Sequence, residues 1–413
     1  MIKDDELWQQ RNITLLVDPE QDFPFLKLNP STVFLDNAST TQKPTIVLAK
    51  MQTLYSNGCA NLGRGAYDLE NQLAYKYHHA RLVIQNFIQA KSWQEIVFTS
   101  GATDSINAVM YAVAHLFQPN DAIILTEIEH TSNTLPWIHL ARQRDLTVNF
   151  IKVHPDGTLD DICHYLTCHT KLVALSQCSH VLGNEQPVEA IIKKIRAYNK
   201  DILILVDGTQ AITHLTINVH SMDCDFFVFS GHKLYGPSGT GVLYVKESVQ
   251  PALQFYRLGG GMINSFAQTQ TFAMESFQQQ METGTLNVIG SVCLAEALQY
   301  VSTFSLSAIY RFYQQLNYAL RYELMHVFSD IHIISHNSTS LMSFYFDQYS
   351  SYDIGIMLDA AGICVRTGHL CSYHLTHALH LPPLVRVSFG LYNTLNDISY
   401  FIATLKQIIY KLQ

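Results

Sequence analysis

The chain has 413 residues, of which 48% are hydrophobic and only 15% charged, and its net charge is −8. That length exceeds one ordinary core and suits a large domain with a smaller one. The low charged share predicts extensive buried surface, and the acidic balance argues against a nucleic-acid partner. No run of about 18 apolar residues predicts a membrane span. The opening MIKDDELWQQ lacks the basic start and apolar core of a secretory signal. Eight cysteines are scattered with no CxxC pair. The expectation is a cytoplasmic chain with reduced thiols and no metal site.

In chain order, the first thirty residues read as irregular with short helices, and TVFLDNAST as a short strand ending in a polar turn. Residues 45–90 are predicted helical with a break at NGCANLGRGAY. In EIVFTSGATDSINAVMYAVAHLF a strand enters a Gly-Ala-Thr turn that opens an apolar-periodic helix. The alternation repeats: AIILTEIEH strand, NTLPWIHLARQR helix, TVNFIKV strand, LVALSQCSH strand, QPVEAIIKKIRAYNK helix, DILILVDGTQ strand. Strands alternating with helices predict a mainly parallel α/β sheet. Two apolar runs then flank SGHKLYGPSGT. Beyond 290 a long helical stretch (290–327) precedes IHIISH, SLMSFYF, a helix from Ser351 to Ala361, GICVRTG, LVRVSFG and a final helix over 396–411. This predicts a smaller α+β domain with an antiparallel sheet. The expected organisation is an N-terminal segment (1–30) joining the small domain, a large α/β domain (31–290) and a small domain (291–413).

Lys233 stands between two segments that read as buried strands. An ordinary lysine there packs its stem and sends its amine to water. Its neighbours Ser230 and His232, and the loop glycines 236, 239 and 241, suggest another use. A desolvated lysine has a depressed pKa and adds to an aldehyde, the chemistry that pyridoxal 5′-phosphate requires. That cofactor makes three further demands. Its ring nitrogen needs a carboxylate, and Asp207 closes the run ILILVD, with Gln210 three residues on. Its phosphate needs amides at a helix start, and Gly101, Ala102 and Thr103 stand at a strand-to-helix turn. Its ring face needs a flat partner, and His130 ends another strand. Taken singly, a turn-capping aspartate, an unremarkable turn and a core histidine would each do. Together they lie at the carboxyl ends of predicted parallel strands, where open α/β sheets bind ligands.

These residues carry a resemblance. DCDFFVFSGHKLYGPSGTGVLYV resembles the cofactor-lysine segment of class V aminotransferase-fold enzymes, specifically the Suf-type cysteine desulfurases and selenocysteine lyases. FLDNASTTQKP, NLGRGAY, FTSGATDSIN, EIEHTSN, VDGTQA, METGTLN, VRTGHLC and VRVSFGLYNT follow in that family's order. The resemblance implies fold type I of the pyridoxal-phosphate transferases and a homodimer. It implies conversion of L-cysteine to L-alanine, with a persulfide on Cys371 passed to a sulfur acceptor, as in iron–sulfur cluster assembly. By the same resemblance Lys233 is the cofactor lysine, Asp207 pairs with the ring nitrogen, and Gln210 lies near the ring oxygen. His130 stacks on the ring. Ala102, Thr103, Ser230 and His232 hold the phosphate. Gly284 and Thr285 reach the phosphate of the neighbouring subunit. Arg386 holds the substrate carboxylate, with Arg366 and Asn37 lining the same pocket. The other seven cysteines read as structural, and Cys364 as buried in a strand.

The sequence departs from the family pattern at several positions. His180 stands where the family has an asparagine near the ring oxygen, and a histidine there could donate through a ring N–H. Leu370 replaces a histidine before the cysteine, Gln280 an arginine, Leu286 a proline and Gly261 an acidic residue. The alternatives are a class V enzyme acting on another amino acid, or a non-catalytic paralogue that binds a partner.

Overall fold

The computed structural model describes residues 13–63, 65–266 and 272–413. The reading of residues 1–12 lies outside them. Seven strands form the central sheet, in the order Ile96–Thr99, Gly241–Val245, Phe226–Ser230, Leu203–Asp207, Thr170–Ser176, Ala122–Thr126, Thr147–Ile151. Ala122–Thr126, Phe226–Ser230 and Gly241–Val245 are buried along their whole length, which is why they read as unbroken apolar runs. Parallel pairing runs from Phe226–Ser230 through to Thr147–Ile151. Gly241–Val245 is antiparallel to both its neighbours. The two apolar runs around Lys233 are therefore the arms of one hairpin, and the lysine sits in its connection.

Helices cover both faces of this sheet. Ala102–Val113 follows the edge strand Ile96–Thr99 and buries Ile106, Val109 and Val113 against one face. Asp68–Phe87 and Thr45–Ser56 lie on the other side, packed against Val288–Ser302. The expected single helical stretch over 290–327 is two helices, Val288–Ser302 and Leu306–Val327, bent by 77°. The break has a local cause: Ser305 is an N-cap whose hydroxyl accepts from the amide of Ala308. Among the described residues no single helix is long and apolar enough to cross a membrane.

The second sheet is antiparallel, in the order Ile331–Ile333, Leu341–Phe346, Leu384–Ser388, Arg366–Gly368. GICVRTG forms two short strands rather than one. Ile363–Cys364 pairs in parallel with Val33–Phe34, while Arg366–Gly368 joins the antiparallel sheet. Register sets Arg366 directly opposite Arg386. Opposed residues on an antiparallel pair share a face, so two guanidinium groups point to one side.

A buried ion pair fastens the segment around Glu282 to the large sheet. Arg81 Nη1 and Nη2 donate to Glu282 Oε1 and Oε2 at 2.8 and 2.7 Å, with both side chains about 5% exposed or less. The same carboxylate accepts the Phe98 amide at 2.6 Å and the Tyr77 hydroxyl at 2.8 Å. Removing one partner strands a buried charge, at a cost of about 3–5 kcal/mol. Glu282→Ala should therefore shift the urea midpoint sharply downward with little change in slope. A shift equivalent to less than about 1 kcal/mol would show that the pair contributes no more than a surface bridge.

Candidate active site

The carboxyl ends of the strands meet the second sheet around a cavity of about 360 Å³. The residues that the sequence singles out supply most of its wall: Lys233, Asp207, Gln210, His130, His180, Ala102, Thr103, Ser230, His232, Arg366, Arg386 and Cys371. Larger clefts of about 490 and 640 Å³ lie elsewhere, but they gather no comparable set of groups.

Lys233 ends the short 3₁₀ turn Gly231–Lys233 that follows Phe226–Ser230. The preceding peptide is held hard. The His232 carbonyl accepts from the Thr41 amide (3.0 Å), Thr40 Oγ1 (3.2 Å), Thr41 Oγ1 (3.1 Å) and Lys43 Nζ (3.0 Å). Among the described residues the Lys233 amine itself has no hydrogen-bond partner. Burial, reinforced by the Arg386 charge and opposed by Asp207, Asp36 and Cys371, brings its pKa down to about 8. Asp207 ends its strand with Oδ1 accepting the Thr209 amide at 2.9 Å; Oδ2 has no partner among the described residues. Gln210 donates to the Ala38 carbonyl at 2.9 Å.

His130 lies in the turn beyond Ala122–Thr126. Its Nδ1 accepts the Ser132 amide at 3.0 Å, so the neutral ring carries its proton on Nε2. Burial, with Lys233 and Arg386 nearby, pushes its pKa down to about 4, and burial next to Lys233 and Lys43 does the same for His232. At the helix start, the Ala102 amide donates to Ser230 Oγ (2.8 Å), and Thr103 Oγ1 meets Ser132 Oγ (2.8 Å). The backbone is tight here: a Cβ on Gly241 would lie 2.4 Å from Gly101 Cα.

The arginine pair is bridged by a residue that sequence reasoning missed. Asp36 Oδ2 accepts from Arg366 Nη2 at 2.7 Å, and Oδ1 from Arg386 Nη2 at 3.3 Å. Ser39 Oγ accepts from both, at 3.0 Å from Arg366 Nε and 2.8 Å from Arg386 Nη2. Arg386 Nη1 donates to the His180 carbonyl at 2.8 Å. Asp36 and Ser39 lie in FLDNAST, a polar turn closing an apolar run, which is the signal that singled out Asp207.

One expected residue is placed differently. Asn37 is buried and already partnered: its amide donates to the Ser388 carbonyl (2.8 Å) and Asn393 Oδ1 (3.2 Å), and its oxygen accepts from Tyr392. It lines a small adjoining space rather than the main cavity. Thr285 is exposed, as is Gly284, and neither lines the cavity of its own chain.

Cys371 is exposed and sits on the cavity rim. Leu370 and Cys371 both have left-handed backbone, with φ of 55° and 56°. Each such non-glycine residue costs about 1–2 kcal/mol. Burial of Leu370 against Ile128, Val181, Leu182 and Leu384 offsets roughly that much. Thr131 donates to the Cys371 carbonyl from its amide and its hydroxyl, both at 2.9 Å. His180 Nε2 lies 2.9 Å from the Leu370 carbonyl. A carbonyl can only accept, so that nitrogen carries the proton. Burial first, then His130, Arg386 and Lys233, holds the His180 pKa well below its usual value, so the ring is neutral and Nδ1 has no hydrogen to give. The ring N–H that could have faced the cofactor is spent on the cysteine loop.

The reading of the other cysteines as structural needs correction for four of the seven. Cys59, Cys163 and Cys168 are exposed, and Cys364 is half-buried at a strand that pairs on one side only. Cys178, Cys224 and Cys293 are buried, and desolvation raises each thiol.

The cavity fits a pyridoxal phosphate: an unpartnered, partly neutral amine, a free carboxylate oxygen, an imidazole wall and a helix start in one space of ligand size. Thr209 Oγ1 and Arg386 Nε are buried without partners among the described residues, as befits a site completed by a polar ligand. Comparison with known proteins agrees. The class-V aminotransferase family model matches residues 33–401. A cysteine desulfurase of Serratia proteamaculans (strain 568) is 36% identical over 380 residues, 91% of this chain and 93% of that protein. One from Wigglesworthia glossinidia brevipalpis is 34% identical over 94% of this chain and 96% of its own. Solved structures of cysteine desulfurases from Escherichia coli and Thermococcus onnurineus NA1, each 29% identical, superpose with TM-scores of 0.89 and 0.90. They cover 96% and 97% of this chain and all of theirs. The chain belongs to the class V aminotransferase family, and within it to the cysteine desulfurases.

The lowered lysine pKa gives a pH dependence. An amine is nucleophilic when neutral, above its pKa, so uptake of pyridoxal phosphate by the apoprotein should rise with pH to half its maximum near about 8. Arg386→Gln removes a cation that disfavours the ammonium, so the midpoint should move upward. A wild-type midpoint near the ordinary lysine value would remove desolvation as the activating device.

Proposed function

We propose that this protein is a pyridoxal-phosphate-dependent cysteine desulfurase that carries sulfur as a persulfide on Cys371. One observation carries the reading: a desolvated lysine, a carboxylate with a free oxygen, a buried arginine and an exposed cysteine share one cavity. Lys233 attaches the cofactor. Asp207 would keep the ring nitrogen protonated, and His130 and Gln210 would hold the ring from the cavity wall. Ala102, Thr103, Ser230 and His232 hold the phosphate. When bound, pyridoxal phosphate supplies an electron sink at the substrate α-carbon.

Arg386 binds the carboxylate of L-cysteine. Its planar fork suits a bidentate partner, and Arg366 stands opposite on the same face. Asp36 keeps the two guanidinium groups together. Lys233 would move the substrate α-proton at its Nζ, where a pKa of about 8 suits both accepting and returning it. The Cys371 thiolate attacks the substrate sulfur. The S–S bond forms as the C–S bond breaks, the electron pair stays with carbon, and a proton completes L-alanine. The persulfide then passes to an acceptor thiol. Gly284 and Thr285, exposed and outside their own cavity, are suited to reach the phosphate of a second copy in a homodimer. A cytoplasmic location is part of the proposal, supported by eight cysteines with no disulfide among them.

Cys371→Ser tests the reading. The purified holoprotein should keep its cofactor absorbance and still bind L-cysteine, yet form alanine and persulfide at under a hundredth of the wild-type rate. Lys233→Ala should lose the lysine-linked absorbance itself. Alanine production that survives in the serine variant would favour an enzyme using another amino acid or another sulfur chemistry.

A further inference from the structure

His180 is joined to three parts of the site at once. Its ring forms part of the cavity wall beside His130, 4.8 Å between centroids and 65° between planes. Its main-chain carbonyl accepts from Arg386 Nη1 at 2.8 Å. Its Nε2–H donates to the Leu370 carbonyl at 2.9 Å, one peptide from the thiol.

The loop held there crosses from the second sheet to the strand ends of the first. Among the described residues, four hydrogen bonds dock it. Two come from Thr131 to the Cys371 carbonyl, one from Ser372 Oγ to the Glu129 carbonyl (3.2 Å), and one from His180. The first three tie the loop to the turn around His130. His180 alone among them ties it from the cavity wall, and it grips the residue before the thiol. Leu370 offers no side-chain hydrogen bond of its own; it is packed among aliphatic residues. Two successive left-handed residues do not hold their geometry unaided, so the aim of the Cys371 side chain depends on the bonds to these two carbonyls.

We infer that His180 is a positioning residue for sulfur transfer, fixing Cys371 over the cavity through the Leu370 carbonyl. The inference rests on the desulfurase reading for its kinetic part only. It separates binding from chemistry in a definite way. Substitution at 180 leaves the main-chain carbonyl that holds Arg386, so carboxylate binding survives. It removes the imidazole that holds the loop, so attack on sulfur suffers.

The experiment uses holoenzyme of the wild type and of His180→Ala, His180→Asn and His180→Gln. A glutamine amide reaches about as far as Nε2 and can donate to the same carbonyl; asparagine is too short. Three quantities are measured: KM and kcat for alanine formation from L-cysteine, Cys371 persulfide by mass spectrometry after a single turnover, and amide hydrogen exchange over residues 366–375. In the alanine and asparagine variants kcat and persulfide formation should fall about 10–100-fold. KM should stay within about twofold, and exchange at 370–372 should quicken about tenfold. Glutamine should restore most of both losses. A higher KM at unchanged kcat, or unchanged exchange in the alanine variant, would overturn the inference. So would equal loss of rate in the glutamine and alanine variants. Wild-type protein that forms no persulfide would instead refute the desulfurase reading, and the exchange rates would still decide what His180 does to the loop.

Discussion

The site depends on the desolvation of one amine. Lys233 is placed in the connection of a buried hairpin, and the carbonyl before it is gripped by Thr40, Thr41 and Lys43. The backbone therefore cannot swing to carry the ammonium out to water. Burial and the nearby Arg386 charge then disfavour protonation. The grip comes from the segment around residues 36–43, almost 200 residues earlier in the chain. The early polar turn is thus as much part of the lysine's chemistry as the glycine-rich loop beside it.

The same turn solves a second electrostatic problem. Register in the antiparallel sheet sets Arg366 against Arg386, an arrangement that repels across a strand pair. Asp36 and Ser39 lie between the guanidinium groups and accept from both. Burial costs Arg386 much of its hydration, and the carboxylate and the His180 carbonyl return part of it. A pocket for an anion is thereby kept cationic without flying apart when empty of substrate.

Much of this was legible in the sequence because fully buried strands read as apolar runs and helices as periodic ones. Lys233, Asp207 and His130 stood out because each closes such a run at the end where ligands bind. Strand direction was not legible. Nothing in GVLYV distinguishes a parallel from an antiparallel neighbour, so the hairpin around Lys233 came only with the structure. The break at Ser305 was masked by apolar positions that continue on both sides. Asp36, Ser39 and Thr131 act on partners hundreds of residues away, where spacing carries no information. The same limit concealed His180: its departure from the family pattern was visible, but the carbonyl it engages lies 190 positions later. Exposure of Cys59, Cys163 and Cys168 was also illegible, since short polar turns do not announce which side chains they leave outside.

The Cys371 thiol stands on the rim of its cavity, in contact with solvent, rather than at the end of a tunnel. On the proposed reading, sulfur carried there would have no cover among the described residues of its own chain. A small thiol diffusing past could then strip it as readily as an intended recipient, and fidelity of delivery would come from how fast that recipient docks.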